Sequence, residues 1–277
     1  MSEFSKTALG VAALRVAHQL IDDAPRILDD PIAARILPAP MLARLHAHPE
    51  ELRREGARRL RSHVVLRSRF AEDQLAEAVA RGVRQYVILG AGLDTFAYRQ
   101  PPWAAELRIF EVDQPASQAL KVDLLRQAGI AAPANLVFAS VDFETEVLRD
   151  RLCHAGFDDH APTFLSWLGV TMYLAERAID DVLRYVGSLP AGSELVFTFA
   201  ANEGDDPRAS RLAAAAAAVG EPWRTVFTVD ELAKKLHDVG FSEVRFLMPE
   251  EATRRYFMHR TDGLPPPTRP GIVSARV

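Results

Sequence analysis

The residues most able to do chemistry lie in one short stretch, VILGAGLDTFAY, at residues 87–98. Its apolar start ends in Gly90 and Gly92, and an acid, Asp94, follows almost at once. A buried strand that runs into a Gly-x-Gly turn typically brings the backbone close to a nucleotide-like ligand. The stretch therefore predicts a ligand-binding turn at the end of a strand.

Acids that follow the next two predicted strands could bind the same ligand. FEVD supplies Glu111 and Asp113, and Asp113 lies about 20 residues beyond the turn, where a ribose contact is expected. After the third strand comes Asp142, followed by Phe143. A carboxylate can accept a hydrogen bond from an adenine amino group, and an aromatic neighbour can pack against the adenine ring. The pattern indicates a nucleoside site.

The turn itself fits a dinucleotide poorly. The dinucleotide fingerprint has a third glycine three residues after the second, and Thr95 stands there instead. Asp94 would repel a pyrophosphate, whereas it suits a sulfonium or an ammonium group. The ligand is therefore expected to be an adenosine that carries an amino acid rather than phosphates. An NAD-dependent oxidoreductase on a similar sheet remains the alternative.

The elements that must position these residues alternate through the second part of the chain. Short apolar runs lie at 85–90, 107–112, 135–140, 162–169 and 194–200, and helix-like segments lie between or after them at 115–129, 144–155, 175–188 and 207–219. This alternation predicts a doubly wound, mostly parallel α/β sheet with helices on both faces. A further helix is expected at 230–241, then two strands at 241–249 and 252–260.

Length and composition predict a single domain of 277 residues. Its expected parts are a helical extension at 1–82, a sheet domain at 83–262 and a tail at 263–277. The net charge of −4 argues against a general nucleic-acid binder. A single cysteine, the lack of a signal-peptide pattern and the lack of a long apolar run predict a cytoplasmic protein without a membrane segment.

Four ordered motifs carry a family resemblance: VILGAGLDTFAYR, FEVDQP, SVDF and LGVTMYL. In this order and spacing they resemble the S-adenosylmethionine-dependent methyltransferases of the leucine carboxyl methyltransferase family. The similarity is greater to its bacterial branch, which includes O-methyltransferases of secondary metabolism. It extends to TALGVAALR, LDDPIA and LRSRF, and so covers roughly residues 7–260. The resemblance implies a sheet of about seven strands whose final hairpin adds an antiparallel strand.

The resemblance also implies roles for individual residues. Gly90 and Gly92 would lie beneath the amino-acid part of the cofactor, and Asp113 would bind its ribose. Asp142 with Phe143 would hold the adenine. Arg67, with Arg15 as a second candidate, would pair with the methionine carboxylate, for which a guanidinium is well suited. The extension that carries Arg67 and Arg15 is then expected to close over the crevice as a lid.

One position departs from the family pattern. Many relatives have a glutamate just before the glycine of Gly-x-Thr-Met-Tyr-Leu, and this chain has Leu168. The protein substrate of the eukaryotic enzymes therefore does not carry over. The expected activity is O-methylation of a small-molecule hydroxyl or carboxyl group, and a catalytically silent S-adenosylmethionine-binding protein is an alternative. The sequence names no general base.

Other charged residues are expected to be structural or solvated. The arginines at 53, 54, 58, 59 and 61 alternate with glutamates and predict a solvated helix face. His46, His48 and His63 are expected in loops or on the surface, because no carboxylate or cysteine pattern completes a metal site.

Overall fold

The computed structural model describes residues 6–202 and 222–277. The helix predicted at 207–219 lies outside these residues. The extension before the sheet is helical, as predicted. Its helices are α1 (Lys6–Ile21), α2 (Ala33–Ile36), α3 (Ala39–Ala47), α4 (Pro49–Leu52) and the long α5 (Glu55–Ala80).

The second part of the chain alternates strands with helices. The elements are β1 (Gln85–Leu89), β2 (Arg108–Asp113), α6 (Pro115–Gln127), β3 (Leu136–Ser140), α7 (Leu148–His154), β4 (Thr163–Trp167), α8 (Glu176–Gly187), β5 (Glu194–Thr198), α9 (Val229–Asp238), β6 (Glu243–Phe246), α10 (Pro249–Ala252) and β7 (Ile272–Arg276). The helices begin with recognisable signals. Pro115 occupies the first turn of α6, and Thr228 and Glu231 form a capping box on α9.

The strands form one seven-stranded sheet in the order β3-β2-β1-β4-β5-β7-β6. The pairs among β1 to β5 are parallel, and β7 runs antiparallel to both β5 and β6. The predicted doubly wound sheet with a final antiparallel strand is therefore confirmed. Because the order reverses at β1, the carboxyl ends of β1 and β4 open a crevice at this edge.

Both faces of the sheet are covered. Val87 and Leu89 pack into a core cluster on one face, while Tyr86 and Ile88 pack into a second cluster that includes much of α5. All five residues of β1 are buried, which explains its continuous apolar sequence. A third cluster joins α1 and α2 to α6. The extension therefore packs on the sheet domain through apolar contacts.

Two predictions about the last 30 residues were wrong. The segment predicted as a strand at 252–260 continues α10 as a π-helical turn, Thr253–Phe257. The region predicted as a tail at 263–277 contains β7, which lies between β5 and β6. Pro249 followed by two glutamates is a helix-start signal that favoured α10. Strand β7 was not predicted from the sequence because it directly follows a proline-rich loop.

No helix within the described residues is long and apolar enough to cross a membrane.

Candidate functional site

The glycine turn closes the end of β1 against the segment after β4. Gly90 and Gly92 have φ values of +64° and +47°, which L side chains rarely adopt. A Cβ atom on Gly90 would also collide with Cγ2 of Val170. Glycine is therefore required at Gly90 both by the backbone and by the narrow gap between these two segments.

Asp113 lies at the end of β2 and contacts the turn directly. Its Oδ2 accepts a hydrogen bond of 2.5 Å from the amide of Gly92, and its Oδ1 accepts one of 2.7 Å from Gln114. Burial raises the pKa of the Asp113 carboxyl and outweighs the opposite effect of these amides. The structure thus brings together two sequence-predicted site elements, the turn and the ribose acid.

The other acid of FEVD has a different place. Glu111 is 1% exposed, and its carboxylate lies 2.6 Å from Nζ of Lys121, which is equally buried. Burial raises the pKa of Glu111 to about 7, although Lys121 favours the charged form. Glu111 is therefore a buried ion-pair partner behind the site, and Asp113 is the acid of this strand that remains partly accessible.

Asp142 and Phe143 follow β3 at the same edge of the sheet. Asp142 shapes its own loop, since its Oδ1 accepts a hydrogen bond of 3.0 Å from the amide of Glu144. The Phe143 ring lies 5.8 Å from the ring of Trp167 at the end of β4. Because the strand order is β3-β2-β1-β4, these two residues, Asp113 and the glycine turn lie in a row along one edge.

Asp94 and Thr95 join the turn to the helical extension. Asp94 Oδ1 accepts a hydrogen bond of 2.8 Å from Phe96, and its Oδ2 lies 3.5 Å from Nη1 of Arg15. Burial opposes the charged form of Asp94, but Arg15, Lys121 and Arg99 together lower its pKa. Thr95 is fully buried and accepts hydrogen bonds from Arg15 and Arg99 at 2.8 and 3.0 Å. Thr95, which stands in place of the third glycine, therefore holds the side chains of Arg15 and Arg99.

Arg15 already forms an ion pair with a carboxylate of the protein. Its guanidinium lies 2.7 Å from Asp30, and the two side chains are 4% and 0% exposed. Arg99 extends this cluster by pairing with Glu72 of α5 at 3.0 Å. Because these ion pairs link α1, α5 and the loop after β1, they fix the extension over the edge of the sheet. The role of Arg15 toward a cofactor stays a prediction.

Arg67 differs from Arg15 in its surroundings. A Cβ atom on Gly169, just after β4, would lie 2.6 Å from Nη1 of Arg67, so the guanidinium rests on a backbone that only glycine permits. Burial lowers the pKa of Arg67 to about 10, with Arg15 adding to the effect and Tyr173 and Asp94 opposing it. Among the residues of the two described ranges, no carboxylate lies within 4 Å of this guanidinium. Arg67 is thus a partly exposed cation at the crevice without a carboxylate partner among these residues, and its role toward a cofactor stays a prediction.

One residue near Arg67, Arg61, was wrongly predicted as solvated. Arg61 is 1% exposed and forms a two-pronged ion pair with Asp22 at 2.7 and 2.9 Å. His18 completes this cluster at 2.7 Å from Asp22. His63 lies one turn from Arg67 on the partly buried face of α5. The signal that was missed is spacing, because residues four apart on a helix share a face.

Leu168 is partly buried and packs against the core cluster that contains much of α5. Within the described part of the chain, no group of three or more His, Cys, Asp or Glu residues is arranged to hold a metal ion.

These residues fit S-adenosylmethionine. The turn offers a close backbone approach, Asp113 offers a carboxylate to a ribose, and Arg67 offers an uncompensated guanidinium to a carboxylate.

Comparisons with known proteins agree with this geometry. The sequence profile of the family described as leucine carboxyl methyltransferase matches residues 8–187, more than half of the chain. YktD of Bacillus subtilis, assigned by name to the S-adenosyl-L-methionine-dependent methyltransferases, is 32% identical over 95% of this chain and 94% of YktD. SCO7813 of Streptomyces coelicolor, with the same assignment, is 36% identical over 69% of this chain and 68% of that protein.

Two solved structures share the fold. A protein from Thermobifida fusca described as a methyltransferase has a TM-score of 0.57 and 17% identity, with 99% of each chain covered. A DUF574 family protein from Streptomyces avermitilis has a TM-score of 0.56 and 19% identity, covering 95% of this chain and 96% of that one. The chain belongs to the leucine carboxyl methyltransferase family and is an S-adenosylmethionine-dependent methyltransferase.

Proposed function

We propose that this protein methylates an oxygen atom of a small molecule, either a hydroxyl or a carboxyl group. The observation that carries the cofactor side of the proposal is Arg67, a partly buried guanidinium at the crevice with no carboxylate partner among the described residues. An uncompensated buried cation is costly, and an anionic ligand group relieves that cost. When bound, S-adenosylmethionine supplies an electrophilic methyl group on a sulfonium.

Different residues of the crevice would bind different parts of the cofactor. Arg67 would pair with the methionine carboxylate, and Asp94, whose lowered pKa keeps it charged, would face the positive end. Asp113 would bind the ribose while it supports the turn. Asp142 and Phe143 would hold the adenine. This division keeps the charges of the protein opposite to those of the ligand.

The choice of an oxygen acceptor rests on the family and on charge. The family name specifies a carboxyl group, and methylation of a carboxyl group occurs on oxygen. Attack by an anionic oxygen on a sulfonium neutralises both charges, so a crevice that excludes water favours the reaction. We also propose that the protein is cytoplasmic, as its single cysteine leads us to expect.

The alternatives have less support. An NAD-dependent oxidoreductase would need a third glycine in its turn. This chain has Thr95 in that place, and Thr95 accepts hydrogen bonds from two arginines. Asp94 would face the pyrophosphate with a negative charge. A silent cofactor-binding protein would use the same residues, so turnover is what separates it from an enzyme.

The experiment is a binding measurement followed by a transfer screen. Calorimetry with S-adenosylmethionine, adenosylhomocysteine and NAD should give binding of the first two only. Labelled methyl transfer to metabolite extracts should then yield products that base hydrolysis cleaves for a carboxyl acceptor and leaves intact for a hydroxyl acceptor. Asp113→Ala is the matched control, since it should lose both binding and transfer. Preference for NAD, or label found on nitrogen or carbon, would overturn the proposal.

A further inference from the structure

Arg15 contacts three consecutive residues of the loop that follows the glycine turn. Its Nη2 donates a hydrogen bond of 2.8 Å to Oγ1 of Thr95. Its Nη1 donates a longer one of 3.5 Å to the carbonyl oxygen of Leu93 and lies 3.5 Å from Oδ2 of Asp94. Arg15 is 3% exposed and belongs to α1, far from this loop in sequence. One guanidinium therefore fixes the course of the chain on both sides of Asp94.

A buried acid holds this guanidinium from its other side. Asp30 is 0% exposed, and its Oδ2 lies 2.7 Å from Nη2 of Arg15. Its Oδ1 accepts a hydrogen bond of 3.1 Å from the amide of Ala33 at the start of α2, so the carboxylate is itself held in place. The two terminal nitrogens of Arg15 thus meet four oxygens of the protein. Within the described part of the chain, Nε is the nitrogen of Arg15 that makes no hydrogen bond. A two-pronged grip on a ligand carboxylate needs two free nitrogens.

Asp94 is the residue of this loop that stays accessible. Its side chain is 18% exposed, whereas Thr95 next to it is fully buried. The amide of Phe96 donates to Oδ1 of Asp94 at 2.8 Å, and Arg15 lies beside Oδ2. The negative charge of Asp94 also acts on the guanidinium of Arg67 at the crevice. Asp94 is therefore a fixed carboxylate close to the cation that is predicted to meet the cofactor.

We propose that Arg15 is a positioning residue that holds Asp94 to bind the ammonium group of the cofactor, which rests on the cofactor contacts proposed above. Arg15 then acts through Asp94 and does not bind the methionine carboxylate itself. That carboxylate is left to Arg67. The two arginines that the family resemblance treats as candidates for one role thus have different roles.

The charges give this arrangement a direction. The positive charge of Arg15 is compensated by Asp30 and Asp94, whereas Arg67 has no carboxylate within 4 Å among the described residues. A ligand that carries both an ammonium and a carboxylate meets one acid and one guanidinium close together. In the reverse orientation its ammonium would face Arg67, and like charges repel. The pair therefore selects one orientation of the amino-acid part of the cofactor.

The first test compares two ligands that differ in the ammonium group. Adenosylhomocysteine has an ammonium and a carboxylate but no sulfonium, and its deaminated analogue has hydrogen in place of the amino group. Asp94→Asn, which keeps an acceptor for the amide of Phe96, should weaken adenosylhomocysteine binding by about 10-fold or more, because it removes a charge-assisted hydrogen bond. Calorimetry should show the affinity for the deaminated analogue within about twofold of the wild type.

The second test asks whether Arg15 acts through Asp94. Arg15→Lys keeps a positive charge near Asp30, but an ammonium does not reach three loop residues at once, so it should also weaken adenosylhomocysteine and spare the deaminated analogue. In the Asp94→Asn background, Arg15→Lys should change the affinity by less than about twofold, since the residue through which it acts is gone. Arg35→Lys, at an exposed arginine of α2, is the matched control and should leave both affinities unchanged.

A milder variant keeps the proposal testable if Arg15→Lys does not fold. Thr95→Val retains the charges of the cluster and nearly the same volume, but it removes the hydroxyl that accepts from Arg15. It should give a smaller loss of the same kind, for adenosylhomocysteine and not for the deaminated analogue.

The outcomes separate this role from the proposed reaction. An equal loss of both ligands in Arg15→Lys would assign Arg15 to the carboxylate and overturn the proposal. Additive losses in the double variant, or wild-type binding of adenosylhomocysteine by Asp94→Asn, would overturn it as well. All of these readouts are binding constants that need no acceptor. Failure to methylate any oxygen acceptor would therefore count against O-methylation and leave the role of Arg15 unaffected.

Discussion

Helix α5 carries two arginines six residues apart, Arg61 buried and Arg67 partly exposed, and their surroundings are opposite. Arg61 is held by Asp22, by His18 through that acid, and by the carbonyl of Leu52 at 2.7 Å. Arg67 rests on Gly169 and has no carboxylate within 4 Å among the described residues. Both are guanidiniums on one helix in a basic stretch, so the sequence pattern treats them alike. Arg61, whose charge is compensated, is part of the scaffold, whereas Arg67 stays predicted to contact a ligand.

The same contrast holds for the histidines of these two regions. His18 donates to Asp22 through Nδ1 and accepts a hydrogen bond from the amide of Leu28. His63 lies near two arginines that disfavour its charged form. The first region therefore stabilises the fold without a ligand, while the second is stabilised by what binds to it.

The largest effect expected from breaking this contrast is on stability. Arg61→Met should lower the free energy of unfolding by about 3–5 kcal/mol, because it leaves the Asp22 carboxylate buried without its main partner. Arg67→Met should change it little or raise it, because it removes an uncompensated charge. Urea unfolding without ligand measures both, with the exposed Arg53→Ala as the baseline within about 0.5 kcal/mol. Equal destabilisation by the two methionine variants would contradict the contrast.

The next effect is on cofactor affinity, and here substitution of Arg67 should have a larger effect than substitution of Arg61. Arg67→Met should weaken adenosylhomocysteine binding by about 2–5 kcal/mol, since it removes a buried charge pair with the ligand carboxylate. Arg67→Lys should recover only part of this, because an ammonium does not reproduce the planar two-pronged contact. Calorimetry on folded Arg61→Met should give nearly wild-type affinity. Normal binding by Arg67→Met would assign Arg67 to the scaffold.

The two acids at the sheet edge should differ in the same measurement. Asp113→Ala should remove the predicted hydrogen bonds to the ribose, worth about 1.5–3 kcal/mol each, and it also removes the acceptor of the Gly92 amide. Asp142→Ala should cost less, because the adenine keeps its packing against Phe143. A larger loss for Asp142→Ala than for Asp113→Ala would mean that the adenine, rather than the ribose, holds the nucleoside.

The last effect is a change in pH dependence, which is small near neutral pH and grows only as the pH falls. The pKa of His63 falls from 6.5 to about 3 in the folded protein, so the unfolded chain binds more protons between these values. The stability associated with neutral His63 is therefore present above pH 6.5 and is lost as the pH falls toward 3. Below pH 6.5 the wild type should lose up to about 1.4 kcal/mol per pH unit more than His63→Gln.

Urea unfolding across this range tests the prediction, and His46→Gln should follow the wild type. Parallel curves for the wild type and His63→Gln would show that His63 titrates normally in the folded protein.

Much of the fold and of the candidate site was predictable because it depends on local order. Apolar runs that alternate with amphipathic segments indicated strands β1 to β5 and helices α6 to α8. Gly90, Gly92, Asp113 and Asp142 each lie at or just beyond the carboxyl end of a strand. Since parallel strands end at one edge, residues at these positions must come together whatever the details of packing. Sequence order alone therefore predicted that these residues lie in a row along one edge of the sheet.

The end of the chain shows where local signals compete. Apolar and aromatic residues at 252–260 suggested a strand, but Pro249 and its two glutamates started a helix that continues through them. Strand β7 is short and follows a proline-rich loop, and it is specified by pairing with β5 and β6 on both sides. A strand that is defined by its neighbours leaves a weak signal in its own residues.

What the sequence determined by itself is the class of sheet, the glycine turn and the acids that follow the strands, because strand direction and chain order fix their meeting. Only the tertiary structure decided which charged side chains form ion pairs within the protein. Asp22 reaches Arg61 across 39 residues, and Glu111 meets Lys121 on the following helix. Arg67 and His63 find no such partner in the described residues. Charge compensation depends on distances of a few ångströms between segments remote in sequence, and residue types and spacing do not encode those distances.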